Sequence, residues 1–429
     1  MKEKFIKSTI ILIIGGFITK ILGMLIRIIT TRLIGVYGIG LYMMIMPTYT
    51  LFITIATLSL PIAISKLVSE DTRNNKNIVL GIIPVALIFN LIIIIFILFT
   101  SNIISDTLLH NKNLYIPILA TSITLPFITI SNIIRGYFFG KQKMIPHVVS
   151  NLFEQVVRLG LIILITPKIL EYGLINAITG IVLFNIISEI LSTVILMFFL
   201  PKNTKIKKKD IKPNLDNIKD IFSISVPTTA GRIITSIGGF LEPIIITFVM
   251  LSIGYNTKYI TYQYGLISGF VFPIVMMPQF LSGAISQALL PTISKYDSQN
   301  NYFMIRKKLK QAIIISGIIG LIFTIILIIF PNESLKLIFN NSKGSNYLIW
   351  AAPVFLITYI QGPIISTLQA INKAKIIMIS SLIGTIIKSI ALFLLLYLNI
   401  NMYALLIAIF IQYLFITIYQ YRKIKKILK

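Results

Sequence analysis

The sequence predicts an all-α, polytopic membrane protein with about twelve transmembrane helices in two six-helix lobes around a central cavity. Of the 429 residues, 56% are hydrophobic and 12% are charged, and the mean hydropathy is +0.92. Soluble domains usually contain about 25% charged residues. Too few polar side chains remain here to cover a water-exposed surface, so the chain is placed in a membrane.

Apolar windows of about 20 residues predict the individual spans. They lie near 6–31, 39–65, 78–100, 114–134, 146–166, 173–200, 221–252, 260–291, 311–330, 346–371, 375–398 and 401–421. The one long polar stretch is a Lys-rich segment that separates the sixth span from the seventh. We therefore predict a first lobe over 1–200, a basic linker over 201–220 and a second lobe over 221–429.

The distribution of basic residues predicts the orientation. If the N-terminus is inside, the inner segments hold 28 Lys and Arg and the outer segments hold six. Because cytoplasmic loops are enriched in Lys and Arg, both termini are expected in the cytoplasm of a bacterial cell. This asymmetry also accounts for most of the net charge of +26 without a nucleic-acid partner.

The sequence lacks the motifs of several classes of enzyme and of metal-binding protein. The chain has no Cys, so thiol catalysis and iron–sulfur clusters are excluded. Its two His are expected on opposite sides of the membrane, so no metal site is predicted. No phosphate-binding loop or nucleophile elbow occurs. We therefore expect a protein that is not an enzyme and has no cofactor, driven by the membrane potential or an ion gradient.

The second and eighth spans resemble each other weakly. The second has Gly40, Pro47 and the exit Leu60-Pro61-Ile-Ala-Ile-Ser65-Lys66, and the eighth has Gly265, Pro273 and Leu290-Pro291-Thr-Ile-Ser294-Lys295. If this is a true repeat, the two lobes are related by an axis along the membrane normal, as in transporters that rock about a central site. Common prolines in apolar sequence are the alternative explanation.

Eight charged residues lie inside the predicted spans, more than one residue from either end. Each costs roughly 2.5–3.5 kcal/mol or more at the bilayer centre unless it is paired or hydrated. The cations outnumber the acids, so a water-filled cavity that binds an anionic substrate is the interpretation we favour. The predicted cavity cations are Lys20, Arg27, Arg158, Arg232 and Lys388, and the buried acids are Glu154, Glu189 and Glu242.

Simpler explanations remain open for several of these charges. Glu154 and Arg158 are four residues apart, the spacing of a salt bridge on one helical face. Arg27 and Arg232, and Lys20 if its span is tilted, could extend their charged groups to the membrane surface. For Lys388, which lies mid-span with no partner nearby in sequence, we favour the cavity.

Glycines and prolines occur within spans that carry these charges. Such residues loosen membrane helices where they line a cavity, although small residues also allow close helix packing. Interrupted spans at corresponding positions of two halves point to a binding site. The predicted hinge or gating residues are Gly15, Gly16, Gly23, Pro47, Pro61, Pro227, Pro273 and Pro291.

Several motifs together resemble a known family. They are Lys20-Ile-Leu-Gly-Met-Leu-Ile-Arg27, Leu33-Ile-Gly35, Gly38-Ile-Gly40-Leu-Tyr42, Leu60-Pro-Ile-Ala-Ile-Ser-Lys66, Ile134-Arg-Gly-Tyr-Phe-Phe-Gly140, Glu154-Gln-Val-Val-Arg158 and Leu290-Pro-Thr-Ile-Ser294. On these the chain resembles the stage V sporulation protein B, or polysaccharide biosynthesis, family of oligosaccharide flippases. That family belongs to the multidrug/oligosaccharidyl-lipid/polysaccharide exporter superfamily and is related to the lipid II flippases.

The resemblance implies export of a lipid-linked saccharide, such as lipid II or another undecaprenyl-pyrophosphate oligosaccharide, through a central cationic cavity. It implies that Arg27, with Lys20 nearby, and Arg232 hold the family's cationic positions on the first and seventh spans. Members usually have fourteen spans, and the twelve predicted here leave the exact substrate open.

Two other functions are weighed against this one. A proton- or sodium-coupled multidrug exporter of the same superfamily usually needs a buried acid in the first lobe, which only Glu154 and Glu189 supply. A membrane-embedded glycan polymerase needs an acid–base pair, and none is evident. The expected partners are a lipid-linked oligosaccharide and membrane lipids, with no nucleic acid. The oligomeric state is open, with a monomer as one candidate.

Overall fold

The structure is a computed structural model that describes residues 2–70, 74–201 and 208–428. Side chains are described from residue 14 onward, except for those of residues 208 and 209. Lys202, Lys205 and Lys207 of the predicted basic linker lie outside the described residues.

The described residues are almost entirely helical and contain no strand. The helices are α1 Lys2–Thr57, α2 Leu60–Glu70, α3 Asn75–Asn102, α4 Tyr115–Gly140, α5 Met144–Leu170, α6 Leu174–Phe198, α7 Lys208–Ile211, α8 Leu215–Ser252, α9 Thr257–Gly265, α10 Phe272–Met276, α11 Gln279–Ser298, α12 Tyr302–Ile329, α13 Pro331–Phe339, α14 Ser345–Ala370, α15 Ala374–Tyr397 and α16 Tyr403–Ile427.

The number of membrane spans agrees with the prediction. Among the described residues, eleven segments are long and apolar enough to cross a membrane. The first, Ile14–Glu70, has 57 residues and covers most of the first predicted span and all of the second. A helix of that length measures about 85 Å, against about 30 Å of hydrocarbon. Gly35, with φ 68° and ψ −176°, provides the non-helical residue inside α1.

The chain forms two compact units. The first comprises 1–34 and 44–240, and the second comprises 35–43 and 241–429. The boundary at 240 lies inside α8, because the first part of α8 packs within the first unit. Ile221 is buried there with Leu60 and Ile78, and Ser236 lies 3.1 Å from Thr54, hydroxyl to hydroxyl.

The eighth predicted span is discontinuous. It is built from α9, a π-helical turn over Leu266–Val271, α10 and then α11. Gly265 and Gly40, which open the two sequence repeats, meet here within the second unit. A Cβ atom on Gly265 would collide with the carbonyl oxygen of Val36 and with the backbone of Gly40. The glycines thus allow two helical backbones to approach closely.

Candidate functional site

The first unit contains a four-membered ionic cluster on α4, α5 and α6. Arg135 Nη2 donates to Glu154 Oε2 at 2.8 Å and lies 3.2 Å from Glu189 Oε1. Arg158 Nη2 donates to Glu154 Oε1 at 2.7 Å. The two cations and two carboxylates sum to zero charge, which makes their burial within membrane helices tolerable.

Arg135 was predicted to lie in an inner loop, and that prediction was wrong. The second predicted inner loop, between the fourth and fifth spans, begins at residue 135, but α4 continues to Gly140. Gly136 and Gly140 pack the end of α4 against α2, since Cβ atoms there would collide with Pro61 and Val68. The side chain of Arg135 is only 13% exposed. The fifth and sixth predicted spans contain two acids, Glu154 and Glu189, and one cation, Arg158. This imbalance was the sequence signal that a further cation was needed to neutralise them.

A second ion pair lies in the second unit. Lys388 Nζ on α15 donates to Glu242 Oε2 on α8 at 2.6 Å, and the hydroxyl of Tyr264 on α9 donates to Glu242 Oε1 at 3.1 Å. The side chains of Lys388 and Glu242 are 11% and 13% exposed. The partner of Lys388 is therefore 146 residues away in sequence, where no helical spacing reveals it.

The remaining predicted cations occupy different surroundings, all within the first unit. Lys20 on α1 is exposed, and Arg27 on the same helix is partly buried. Arg232 on α8 is also exposed, and its Nη1 lies 3.4 Å from Ser59 Oγ at the break between α1 and α2. Lys20 and Arg232 have no carboxylate partner among the described residues. Arg158 and Lys388, by contrast, are neutralised by carboxylates.

The predicted hinge residues divide into two groups. Pro61 follows the break at Leu58 and Ser59, whose φ angles are 44° and 48°, and Pro273 follows the π-helical turn. The others lie at helical positions inside longer helices: Gly15, Gly16, Gly23 and Pro47 in α1, Pro227 in α8 and Pro291 in α11.

Gly15 is one of the positions where a small residue permits close packing. A Cβ atom there would collide with Val148 of α5. The non-helical residue of α1 is instead Gly35, which was not among the predicted hinge residues. No cluster of His, Asp and Glu suited to a metal occurs among the residues that the structure describes.

Two comparisons decide the family. The sequence profile described as "Polysaccharide biosynthesis protein" matches residues 5–297. Stage V sporulation protein B of Bacillus subtilis (strain 168) is 36% identical over 398 residues, which cover 90% of this chain and 77% of that protein. The chain belongs to the polysaccharide biosynthesis protein family.

The chain is also similar to a second curated protein, a second family profile and a solved structure. Lipid II flippase MurJ of Bacillus subtilis is 25% identical over 423 residues, covering 90% of this chain and 76% of that protein. The profile described as MatE matches residues 264–394. An inward-facing multidrug resistance MATE family transporter of the MOP superfamily has a TM-score of 0.72 at 16% identity over 95% of this chain and 94% of its own, which shows a shared fold.

These findings confirm the predicted family, the all-α membrane fold and the location in a cell membrane as a multi-pass protein. They also support the predicted class of function, a membrane transporter or flippase.

Proposed function

We propose that this protein flips an undecaprenyl-pyrophosphate-linked saccharide, such as lipid II or a polysaccharide repeat unit, from the inner to the outer leaflet by alternating access. The product would serve cell-wall, spore-cortex or polysaccharide synthesis. The observation that carries the proposal is the match to the polysaccharide biosynthesis family over 5–297, the part of the chain that contains Lys20, Arg27 and Arg232.

The sign of the charges supports an anionic substrate. Lys20 and Arg232 lie on membrane helices without a carboxylate partner among the described residues, so a pyrophosphate is a suitable counter-charge. Arginine is well suited to phosphate oxygens because its planar guanidinium donates two parallel hydrogen bonds. We assign Arg27 and Arg232 to the pyrophosphate and Lys20 to a supporting position. Arg158 and Lys388 are assigned to structural ion pairs.

A cation-coupled multidrug exporter is the second candidate, favoured by the MatE profile over 264–394 and by the shared fold. Cation-coupled export needs a buried carboxylate that binds and releases a proton or Na⁺. Glu154, Glu189 and Glu242 each already lie within 3.2 Å of a basic nitrogen. This pairing favours the flippase. No catalytic step or cofactor is part of the proposal, and the membrane potential is proposed as the driving force.

The test is replacement of an essential flippase. A bacterium depleted of its own lipid II flippase would express this chain, and lipid II exposed on the outer face would be measured. Restored exposure is the expected result, and the Arg27→Ala/Arg232→Ala variant at equal membrane abundance should not restore it.

The remaining outcomes separate the alternatives. If the protein is in the membrane and lipid II stays inside, lipid II is not its substrate, and other undecaprenyl-linked oligosaccharides are tested in the same way. Lower accumulation of cationic drugs, abolished by collapse of the proton or Na⁺ gradient, would favour the multidrug exporter.

A further inference from the structure

The last three turns of α16 have two chemically different faces. The inward face repeats every four residues: Ile416, Gln420, Ile424 and Leu428 are all buried. Gln420 Nε2 donates to Ser380 Oγ on α15 at 2.8 Å. Ile424 and Leu428 belong to a hydrophobic cluster with Leu289 and Leu368, among others. This face fixes the rotation of α16 about its own axis.

The opposite face is largely exposed and borders an open surface depression of about 360 Å³, which we call the groove. Its residues recur at intervals of three, one, three, one and three positions, which places them on a single helical stripe. They are Phe415, Ile418, Tyr419, Arg422, Lys423 and Lys426.

Polarity changes in one direction along this stripe. The apolar and aromatic side chains come first, with the rings of Phe415 and Tyr419 stacked at a centroid distance of 5.9 Å. The cations follow, and Lys423 Nζ lies 5.5 Å from the centre of the Tyr419 ring. Because α16 is predicted to run towards the cytoplasm, this order matches a lipid of the inner leaflet, with its acyl chains deeper than its phosphate.

The three cations have no acidic partner in the structure. None of the ion pairs among the described residues involves Arg422, Lys423 or Lys426. Cations in a last helical turn also complement the helix dipole. That effect accounts equally for Lys425, which lies in the same turn but does not line the groove. It therefore does not explain why three cations border an apolar groove.

We propose that this groove binds the anionic headgroup of a glycerophospholipid of the inner leaflet. Arg422, Lys423 and Lys426 contact the phosphate, and Phe415 and Ile418 contact the upper acyl chain. An anionic lipid is favoured over a zwitterionic one because the groove supplies three positive charges and no negative charge. A lipid is favoured over free phosphate because half of the lining is apolar. The site lies wholly within the second unit and is independent of the transported substrate.

The test measures lipid retention by the purified full-length protein. Native mass spectrometry would follow binding of phosphatidylglycerol and of phosphatidylcholine to the wild type and to Lys423→Gln/Lys426→Gln. An exposed ion pair between a lysine and a phosphate contributes up to about 1 kcal/mol, so loss of two such contacts should weaken phosphatidylglycerol binding up to about 30-fold. Phosphatidylcholine binding should be weaker in the wild type and unchanged by the substitutions.

The matched control removes the same charge elsewhere at the inner end of the unit. Lys307 on α12 and Lys425 are exposed and do not line the groove, so Lys307→Gln/Lys425→Gln should retain phosphatidylglycerol. Thermal unfolding of all proteins checks that the fold is kept.

Three results would overturn the proposal. They are an equal loss in both double variants, equal binding of the two lipids by the wild type, and displacement of phosphatidylglycerol by millimolar inorganic phosphate or pyrophosphate.

Discussion

At the scale of single residues, Arg135 determines the charge balance of the first unit's ionic cluster. It contacts both Glu154 and Glu189, whereas Arg158 contacts only Glu154. Arg135→Gln should therefore leave a buried carboxylate without a cation. Breaking a buried pair in this way costs about 3–5 kcal/mol. We expect a large fall in the thermal unfolding temperature of the purified protein, measured in detergent.

Removal of the acid as well provides the control for Arg135. In Arg135→Gln/Glu189→Gln, the Arg158–Glu154 pair remains and no net charge is left buried. The double variant should be more stable than the single one. If both unfold at the same temperature, the geometry of Arg135 and not charge balance stabilises the cluster.

Arg27 and Arg232 are the residues on which the proposed substrate binding depends. Arg27→Ala/Arg232→Ala should abolish export while membrane insertion is kept, because each substitution removes a charge from a membrane helix and leaves its apolar residues unchanged. Flipping of a lipid-linked saccharide in proteoliposomes measures the effect. Lys258→Ala/Lys336→Ala removes two cations from predicted outer loops and should retain activity. Full export by the arginine variant would refute the cationic site.

At the scale of elements, Gly35 determines the course of α1. It adopts φ 68° and ψ −176°, a combination that costs other residues about 1–3 kcal/mol. It is also the first residue of the short segment 35–43 that belongs to the second unit. We expect Gly35→Ala to lower the unfolding temperature and to slow flipping.

Gly16 offers the matched control for this change. It lies inside α1, and a Cβ atom there would meet nothing within 4 Å, so Gly16→Ala should leave both quantities unchanged or slightly raise stability. Equal effects of the two substitutions would mean that the conformation of Gly35 has no special role.

The helices could be predicted from sequence because each apolar run satisfies a length requirement set by the bilayer. Their ends could not, since a helix continues past the hydrocarbon wherever another helix covers it. α4 shows this: its last turn is packed on α2, and Arg135 was consequently placed in a loop.

Ion pairs between helices distant in the sequence could not be predicted from the sequence either. Glu154 and Arg158 could be paired from their spacing of four residues, and the structure contains that ion pair. Lys388 and Glu242 lie on different helices, and no periodicity relates two separate spans. The discontinuity of the eighth span was signalled only by Pro273, because a π-helical turn has no sequence signature of its own.

At the scale of the whole molecule, the proposed direction of transport follows from charge and membrane potential. Outward movement of a negative charge gains about 2.3 kcal/mol per 100 mV when the interior is negative. A substrate linked through a pyrophosphate carries two such charges, and one linked through a single phosphate carries one. The potential should therefore favour the outer leaflet about twice as strongly, in free energy, for the pyrophosphate-linked lipid.

Proteoliposomes test this dependence directly. A potassium gradient with valinomycin sets the potential, and a fluorescent lipid-linked sugar, in pyrophosphate and monophosphate forms, reports its distribution between leaflets. The fraction of the lipid in the outer leaflet should rise with interior-negative potential, more steeply for the pyrophosphate form. At zero potential neither leaflet should be preferred. An outward preference that survives at zero potential and disappears only when a proton or Na⁺ gradient is removed would show that an ion gradient drives transport.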